Sequence, residues 1–416
     1  MSLPLTAPPP AAPPASPFRG WRVAWAAFAV AVLGWGIGFY GPPVFLLAVQ
    51  RARGWPVPLI ATAITCHFLA SAAVVAWLPA LHRRLGLAGA TRLGGVLAGL
   101  GVVAWALAGE PWQLHAATMI SGAGWAMTGG AAINAMVAPW FIRRRPAALS
   151  LAYNGASVGG ALFSPLWVAL IEGLGFAQAA LLLGAAMACL LWWLSGRYLA
   201  GGPEAWGQSP DGLAAPPPGP APRPAPTLPG SRLWRDRGFV TLALATALSL
   251  FAQIGLIVHL FSLIAGPLGA QGAGFAAGLA TACAILGRSL VGALLPEAAD
   301  RRRVAAANFA LQAAGSLLLL ASGGVQVPLL LAGLVLFGLG LGNVTSLPPM
   351  IVQRDFAAGD TARAVALVTA CGQAAYAFAP AGFALLRDDA GSASLFLAAA
   401  ALQVAAALAV LAGRRR

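Results

Sequence analysis

The chain has 416 residues, of which 59% are hydrophobic and only 9% charged. Ordinary soluble domains carry roughly 25% charged residues, so a water-soluble globular fold is excluded. The net charge of +14 rests on 25 arginines with no lysine. That excludes the phosphate-gripping lysine of a P-loop ATPase and any Schiff-base lysine.

The first eighteen residues hold seven prolines and no basic start, which predicts a disordered tail over 1–18 rather than a signal peptide. Twelve apolar runs of membrane-spanning length follow, at 21–48, 57–81, 89–108, 113–138, 147–170, 177–199, 238–264, 272–296, 304–321, 327–348, 362–385 and 393–412. Between the sixth and seventh runs lies the one long polar stretch, with ten prolines between Pro203 and Pro229. Such a stretch is expected to stay extended and to pack no core. The expected organisation is a six-span bundle over 19–200, a proline-rich linker over 201–236 and a second bundle over 237–416. The halves share a loop rhythm: Arg83 lies 61 residues after Arg22, and Arg301 lies 64 after Arg237. The fold class is therefore all-α integral membrane, with twelve transmembrane helices in two six-helix bundles.

Arginine placement gives the expected orientation. One set of loops holds Arg19, Arg22, Arg83, Arg84, Arg92, Arg143 to Arg145, Arg197, the linker arginines, Arg301 to Arg303, Arg354, Arg363 and Arg414 to Arg416. The other set holds only Arg51, Arg53 and Arg387. Positive charge collects on the cytoplasmic face, so both termini are expected there, in a multi-pass protein of a bacterial inner membrane. The arginine clusters read as membrane loops, so no nucleic-acid partner is expected. Cys66, Cys189, Cys283 and Cys371 lie singly in apolar runs and the histidines are scattered, so no metal, cofactor or enzymatic chemistry is expected.

Certain residues point to a family. Gly20-Trp21 precedes the first run, which contains Gly36-Ile37-Gly38-Phe39-Tyr40-Gly41. Gly54-Trp55 precedes the second. The loop after the fourth reads Trp140-Phe141-Ile142-Arg143-Arg144-Arg145-Pro146, ahead of Asn154-Gly155 and Gly159-Gly160. The eighth run carries Gly287-Arg288 and Gly292, followed by Asp300-Arg301. In these features the chain resembles the major facilitator superfamily, and within it the monocarboxylate transporter and oxalate:formate antiporter branches. It departs from them in places. The loop between runs 2 and 3 reads His82-Arg83-Arg84, without the superfamily's aspartate. Pro42-Pro43 stands where a lysine is frequent in the first span. Ala284 stands where an aspartate often pairs with the span 8 arginine. Gln373 and Tyr376 stand near where oxalate-type antiporters use a lysine.

Arg288 is the sharpest candidate. An arginine at mid-span costs about 2.5–3.5 kcal/mol on insertion scales, so it should face a polar cavity. Gly278, Thr281, Ala284 and Gly292 share its stripe. The same position would suit an arginine that caps backbone carbonyls or braces two helices. Tyr40, His67, Asn154, Gln253, Gln373 and Tyr376 sit in spans that line the central cavity in this superfamily, and each is also a candidate helix-packing hydrogen bond. His67 is the candidate for proton coupling. Among the tryptophans, Trp21, Trp140, Trp234, Trp55 and Trp112 are expected as interfacial anchors. The Gly95/Gly99 and Gly155/Gly159 pairs are expected to allow close helix approach.

No carboxylate lies deep in any run, so the site is electropositive and suits an anion. The expected function is secondary active transport of a small organic anion, a monocarboxylate, by alternating access, through proton symport or anion exchange. The expected partners are that carboxylate and the lipid bilayer, with the chain acting as a monomer. A neutral or amphipathic solute remains an alternative, as does a non-transporting receptor or scaffold. The resemblance also implies a cytoplasmic gate, with Glu297 and Asp300 facing Arg143, Arg144 and Arg145, and Arg83 and Arg84 facing Asp355 and Asp360.

Overall fold

The computed structural model describes residues 17–212, 230–296, 298–386 and 393–414. The first apolar run is two helices, α1 (Gly20–Gly38) and α2 (Gly41–Arg53), parted at Phe39 and Tyr40. The second and third runs share α3 (Val57–Leu107). Its 51 residues are interrupted at Gly86, whose φ of 69° is a left-handed value that glycine adopts without a Cβ clash. The fourth run is α4 (Pro111–Thr128) and α5 (Gly130–Val137), parted by extended Gly129. Then come α6 (Arg145–Leu174) and α7 (Phe176–Tyr198).

After the linker and a short α8 (Gly230–Leu233), α9 (Arg237–Leu294) carries the seventh and eighth runs. The remaining helices are α10 (Arg301–Ala321), α11 (Val327–Leu341), α12 (Asn343–Asp355), α13 (Ala358–Tyr376), α14 (Ala379–Ala384) and α15 (Ala393–Ala412). Among the described residues, nine stretches are long and apolar enough to cross a membrane, with Val57–Leu107 counted as one. That stretch supplies two runs. The fourth run, and the short Gly278–Leu294 stretch of the eighth, complete the twelve.

The surface is inverted relative to a soluble protein. Trp77, Leu100, Leu181, Trp193 and Leu408 stand exposed, while Ser71, Asn134, Gln253, Gln312, Asn343 and Gln403 are buried. Lipid supplies no hydrophobic drive between helices, so packing and buried hydrogen bonds must hold them together. Gln312 Nε2 donates to Gln253 Oε1 at 3.1 Å, and Gln403 Nε2 donates to Gln312 Oε1 at 3.1 Å, tying α9, α10 and α15. Small residues do the rest. Gly155 and Gly159 of α6 sit on the carbonyls of Phe28 and Val32 in α1, and Gly99 of α3 meets Gly184 of α7.

Two expectations are corrected. Trp140 is buried, in edge contact with Phe18 at 6.2 Å, so it belongs to the core and not to the interface. The linker does not stay extended at its start: Pro203–Trp206 and Pro210–Gly212 form 3₁₀ turns that pack on the first bundle. The Arg19 guanidinium lies over the Trp206 ring at 3.5 Å, and Gln208 bonds both the Arg19 amide and the Pro17 carbonyl. Local polar and aromatic contacts there overcome the composition, because they are made to a preformed surface rather than within the linker.

This packing generates a contrast within one helix. A Cβ at Gly159 would lie 2.5 Å from the Val32 carbonyl oxygen, whereas one at Gly173 meets nothing within 4 Å. Gly159→Ala should lower stability by about 1–3 kcal/mol through overpacking, and Gly173→Ala should be neutral or slightly stabilising. Melting temperatures of the two variants in detergent check this; equal values would remove the close-approach argument.

Candidate functional site

Four of the spans that border a central cavity are broken. The interruptions at Phe39–Tyr40, Gly129, Gly342 and Ala377–Phe378 fall in runs 1, 4, 10 and 11. A broken helix in a membrane frees backbone groups that need new partners, and it is tolerated where they find them. The cavity between these breaks has a volume of about 170 Å³. Trp35, Phe39, Tyr40, Trp125, Gly130, Tyr153 and Ser157 line it from the first bundle. Leu250, Gln253, Thr281, Ala284, Arg288, Gly342, Thr345, Gln373 and Tyr376 are among those lining it from the second. No Asp or Glu side chain lines it among the described residues.

Arg288 is 4% exposed, and its positive charge is met by neutral oxygens. Its Nε donates to the Gly342 carbonyl at 2.8 Å, an oxygen at the α11–α12 break. Its Nη1 donates to the Tyr153 carbonyl at 2.7 Å and to Asn154 Oδ1 at 3.0 Å. Asn154 Nδ2 in turn donates to Ser289 Oγ at 2.9 Å, which fixes the amide's orientation. Nη2 alone has no protein acceptor among the described residues. The bracing role and the cavity role that the sequence left open are therefore both built: two nitrogens hold the fold, and one is left over.

Tyr40, Gln373, Tyr376 and Gln253 line the same cavity as Arg288. Gln373 Oε1 accepts from Ser71 Oγ at 3.2 Å, across the two bundles. Tyr376 packs edge-on against Phe39 at 6.1 Å and Phe68 at 5.2 Å, forming an aromatic cluster beside the cavity. Asn154 reaches the site only through Arg288. His67 is not brought to it: the ring is 1% exposed, with Nε2 2.9 Å from the Gly38 carbonyl and Nδ1 2.8 Å from Ser121 Oγ. A carbonyl only accepts, so Nε2 carries a proton. Both nitrogens are spent on packing α1, α3 and α4. Sequence reasoning missed Gly130, Gly342, Trp125 and Tyr153. The readable signal was the pair of glycine interruptions at matching positions of the two halves, Gly129-Gly130 in the fourth run and Gly340 with Gly342 in the tenth.

Two of the acids expected in the charge gate, Asp300 and Asp355, have partners within the second bundle. Asp300 caps α10, accepting from the Arg302 amide at 3.0 Å and the Arg303 amide at 3.3 Å, and pairs with Arg414 at 2.6 Å. Asp355 is held by Arg302 at 2.7 Å. Both acids are thus bonded within the second bundle, where the start of a helix and a buried guanidinium need them more. Asp360 is buried, Arg83 and Arg84 are exposed, and Glu297 lies outside the described residues. The amides of Arg143 and Arg144 donate to the linker's Asp211 at 2.8 and 3.3 Å. The Arg145 guanidinium donates to the Phe141 carbonyl at 2.6 Å and the Ala138 carbonyl at 2.9 Å. Two neutral bonds join the bundles near this face among the described residues: Gln353 Nε2 to Asn134 Oδ1 at 2.7 Å, and Ser150 Oγ to the Arg288 carbonyl at 2.8 Å.

A family model described as Major Facilitator Superfamily matches residues 123–380. Among curated proteins, monocarboxylate transporter 11 of Homo sapiens is 32% identical over 194 residues, covering 43% of this chain and 37% of that protein. Monocarboxylate transporter 11 of Mus musculus is likewise 32% identical over 194 residues, covering 43% of this chain and 39% of that protein. The match thus spans well under half the length of either relative. Among solved structures, the human organic anion transporter MFSD10 (TETRAN) superposes with a TM-score of 0.68 at 16% identity, over 95% of this chain and 100% of that one. At that identity the likeness concerns the fold.

The Asp300 geometry predicts how the protein responds to substitution there. Asp300→Ala removes a helix cap and an ion pair and should cost about 1 kcal/mol, while Asp300→Asn keeps a capping oxygen and should cost less. Burial pushes the Asp300 carboxyl upward, but the Arg414 guanidinium and the Arg302 and Arg303 amides outweigh it, and the net shift is downward. Its contribution is therefore full above the ordinary carboxylate range and is lost as pH falls through the lowered value. Thermal melts of both variants across acidic pH check this. A shift in the accessibility of cavity cysteines in Asp300→Asn, with stability unchanged, would support the gate.

Proposed function

The chain belongs to the Major Facilitator Superfamily, and we propose that it is a secondary active transporter of a small organic anion, a monocarboxylate, working by alternating access. One observation carries this reading. A buried guanidinium borders a cavity that no acidic side chain lines among the described residues, and one of its nitrogens is unpaired. A carboxylate would take Nη2 end-on rather than by the fork, because Nε and Nη1 are committed. Its second oxygen would fall to the Tyr40 hydroxyl or the Gln373 amide, which line the same space. Trp35, Trp125, Leu250 and Ile254 offer an apolar wall to the rest of the molecule. A second carboxylate would meet that wall without a cation, which favours one charge per substrate.

Anion exchange suits this cavity better than proton symport. His67, the candidate proton carrier, faces away from it with both nitrogens bonded. The cavity is complete within one chain, consistent with a working monomer. The arginine bias places both termini and the linker in the cytoplasm. In intact cells Ala205→Cys, on a cysteine-free background, should then resist impermeant thiol reagents; labelling from outside would reverse the orientation.

The rival reading is a carrier of a neutral solute, with Arg288 only bracing the bundles, and its three bonded oxygens favour it. Two variants separate the readings. Arg288→Ala should lose carboxylate binding and also melt lower, because it abandons the bracing oxygens. Tyr40→Phe removes a hydroxyl that has no hydrogen-bond partner among the described residues. It should weaken carboxylate binding by roughly three- to tenfold with the melting temperature unchanged. Binding is read by thermal shift against short monocarboxylates. Parent-level carboxylate uptake by a folded Arg288→Ala protein would put the neutral-solute reading ahead.

A further inference from the structure

A second cavity, of about 400 Å³, opens between the bundles beside α5, the stretch of α3 before its Gly86 interruption, the end of α12 and the start of α13. It lies toward the face that bears both termini, and none of the residues that line it line the Arg288 cavity. Most of its wall is apolar, Phe356 among it, but several polar groups from both bundles converge there. His82 Nε2 is buried without a hydrogen-bond partner. Gln353 Oε1 is likewise buried and unpartnered, although its Nε2 holds Asn134. Arg145 uses Nε and Nη2 on the Phe141 and Ala138 carbonyls, which leaves Nη1. No carboxylate lines this cavity among the described residues.

Buried polar atoms without partners cost free energy, and several of them facing one space are accounted for most simply by a molecule that belongs in it. The complement is specific in kind. A cation, together with an imidazole whose Nε2 donates when it is the protonated nitrogen, suits an anion with two acceptor oxygens. The apolar wall calls for a hydrocarbon body, and the volume is within the range of small-ligand sites.

We propose that this cavity is a second binding station for a small carboxylate with an apolar body. Arg145 Nη1 and His82 Nε2 bind its oxygens, and Gln353 Oε1 accepts from a hydroxyl of the ligand. The proposal concerns a site separate from Arg288 and holds whether or not Arg288 binds a carboxylate.

The test uses the full chain with Cys66, Cys189, Cys283 and Cys371 replaced by alanine, and benzoate as probe. Ala362→Cys reports on this cavity and Ala284→Cys on the central one, since each alanine lines its own space. Benzoate should protect Ala362→Cys from a thiol reagent, and inorganic phosphate should not. Adding Arg145→Gln should raise the half-protecting benzoate concentration at Ala362→Cys roughly tenfold while leaving Ala284→Cys within about twofold. Adding His82→Leu should raise it about threefold without lowering the melting temperature, because it removes an orphaned nitrogen and no bond. That variant decides the matter if Arg145→Gln does not fold. Protection at Ala362→Cys with none at Ala284→Cys supports the second station and sinks the Arg288 reading. The station is overturned by an unprotected Ala362→Cys, by equal protection from phosphate, or by protection that both variants leave unchanged.

Discussion

A positive charge held inside the membrane without an acid beside it is the constraint from which the rest of this structure follows. Arg288 cannot shed its proton and cannot reach water easily, so fixed dipoles must meet its charge. An intact helix has few carbonyls to spare. The break between α11 and α12 supplies one at Gly342, and Asn154 supplies another acceptor from the opposite bundle. The interruption in the tenth span and the arginine in the eighth are thus two halves of one device. The Gly342 carbonyl is shared with the Thr345 hydroxyl at 3.1 Å, so the guanidinium adds a second, charged donor to it.

The same device joins the bundles. Arg288 grips the Tyr153 carbonyl and Asn154, while Ser150 returns a bond to the Arg288 carbonyl. Any movement of one bundle past the other has to loosen these contacts. An anion arriving at Nη2 competes with the oxygens for the guanidinium's charge, so occupancy and the strength of the inter-bundle grip are linked through one side chain. Further ties between the bundles among the described residues, such as Gln353 to Asn134 and Ser71 to Gln373, are neutral hydrogen bonds worth about 0.5–1.5 kcal/mol each. Neutral ties of that size permit two arrangements of similar energy. Asp300 and Asp355 are bonded within the second bundle.

Much of the architecture was legible because a membrane imposes simple demands. Run length, the arginine loops and the repeated spacing follow from the bilayer's thickness and the need to keep charge out of it. Arg288 stood out for the same reason. Helical periodicity, however, gives a face and not the neighbour that the face meets. His67 and Tyr40 looked alike in sequence, yet one is spent between α1 and α4 and the other lines the cavity. Asp300 was readable as a helix cap, since it stands directly before the Arg301–Ala321 helix. Proline content hid the folded start of the linker, because composition records how a segment behaves alone.

That folded start bears on how the site is held. Asp211 sits at φ 60° and presents its carboxylate to the amides of Ile142, Arg143 and Arg144, where α6 begins. A carboxylate at unsatisfied amides near a helix start stabilises that start twice over, by hydrogen bonding and by the helix dipole. Further along, α6 is seated on α1 through Gly155 and Gly159, and Tyr153 donates its hydroxyl to the Gly130 carbonyl at 2.7 Å. The helix that offers Tyr153 and Asn154 to Arg288 is therefore pinned at its start by the linker and along its length by the first bundle. Two of the oxygens that receive the guanidinium thus belong to a well-seated helix of the first bundle, and the third is the Gly342 carbonyl of the second.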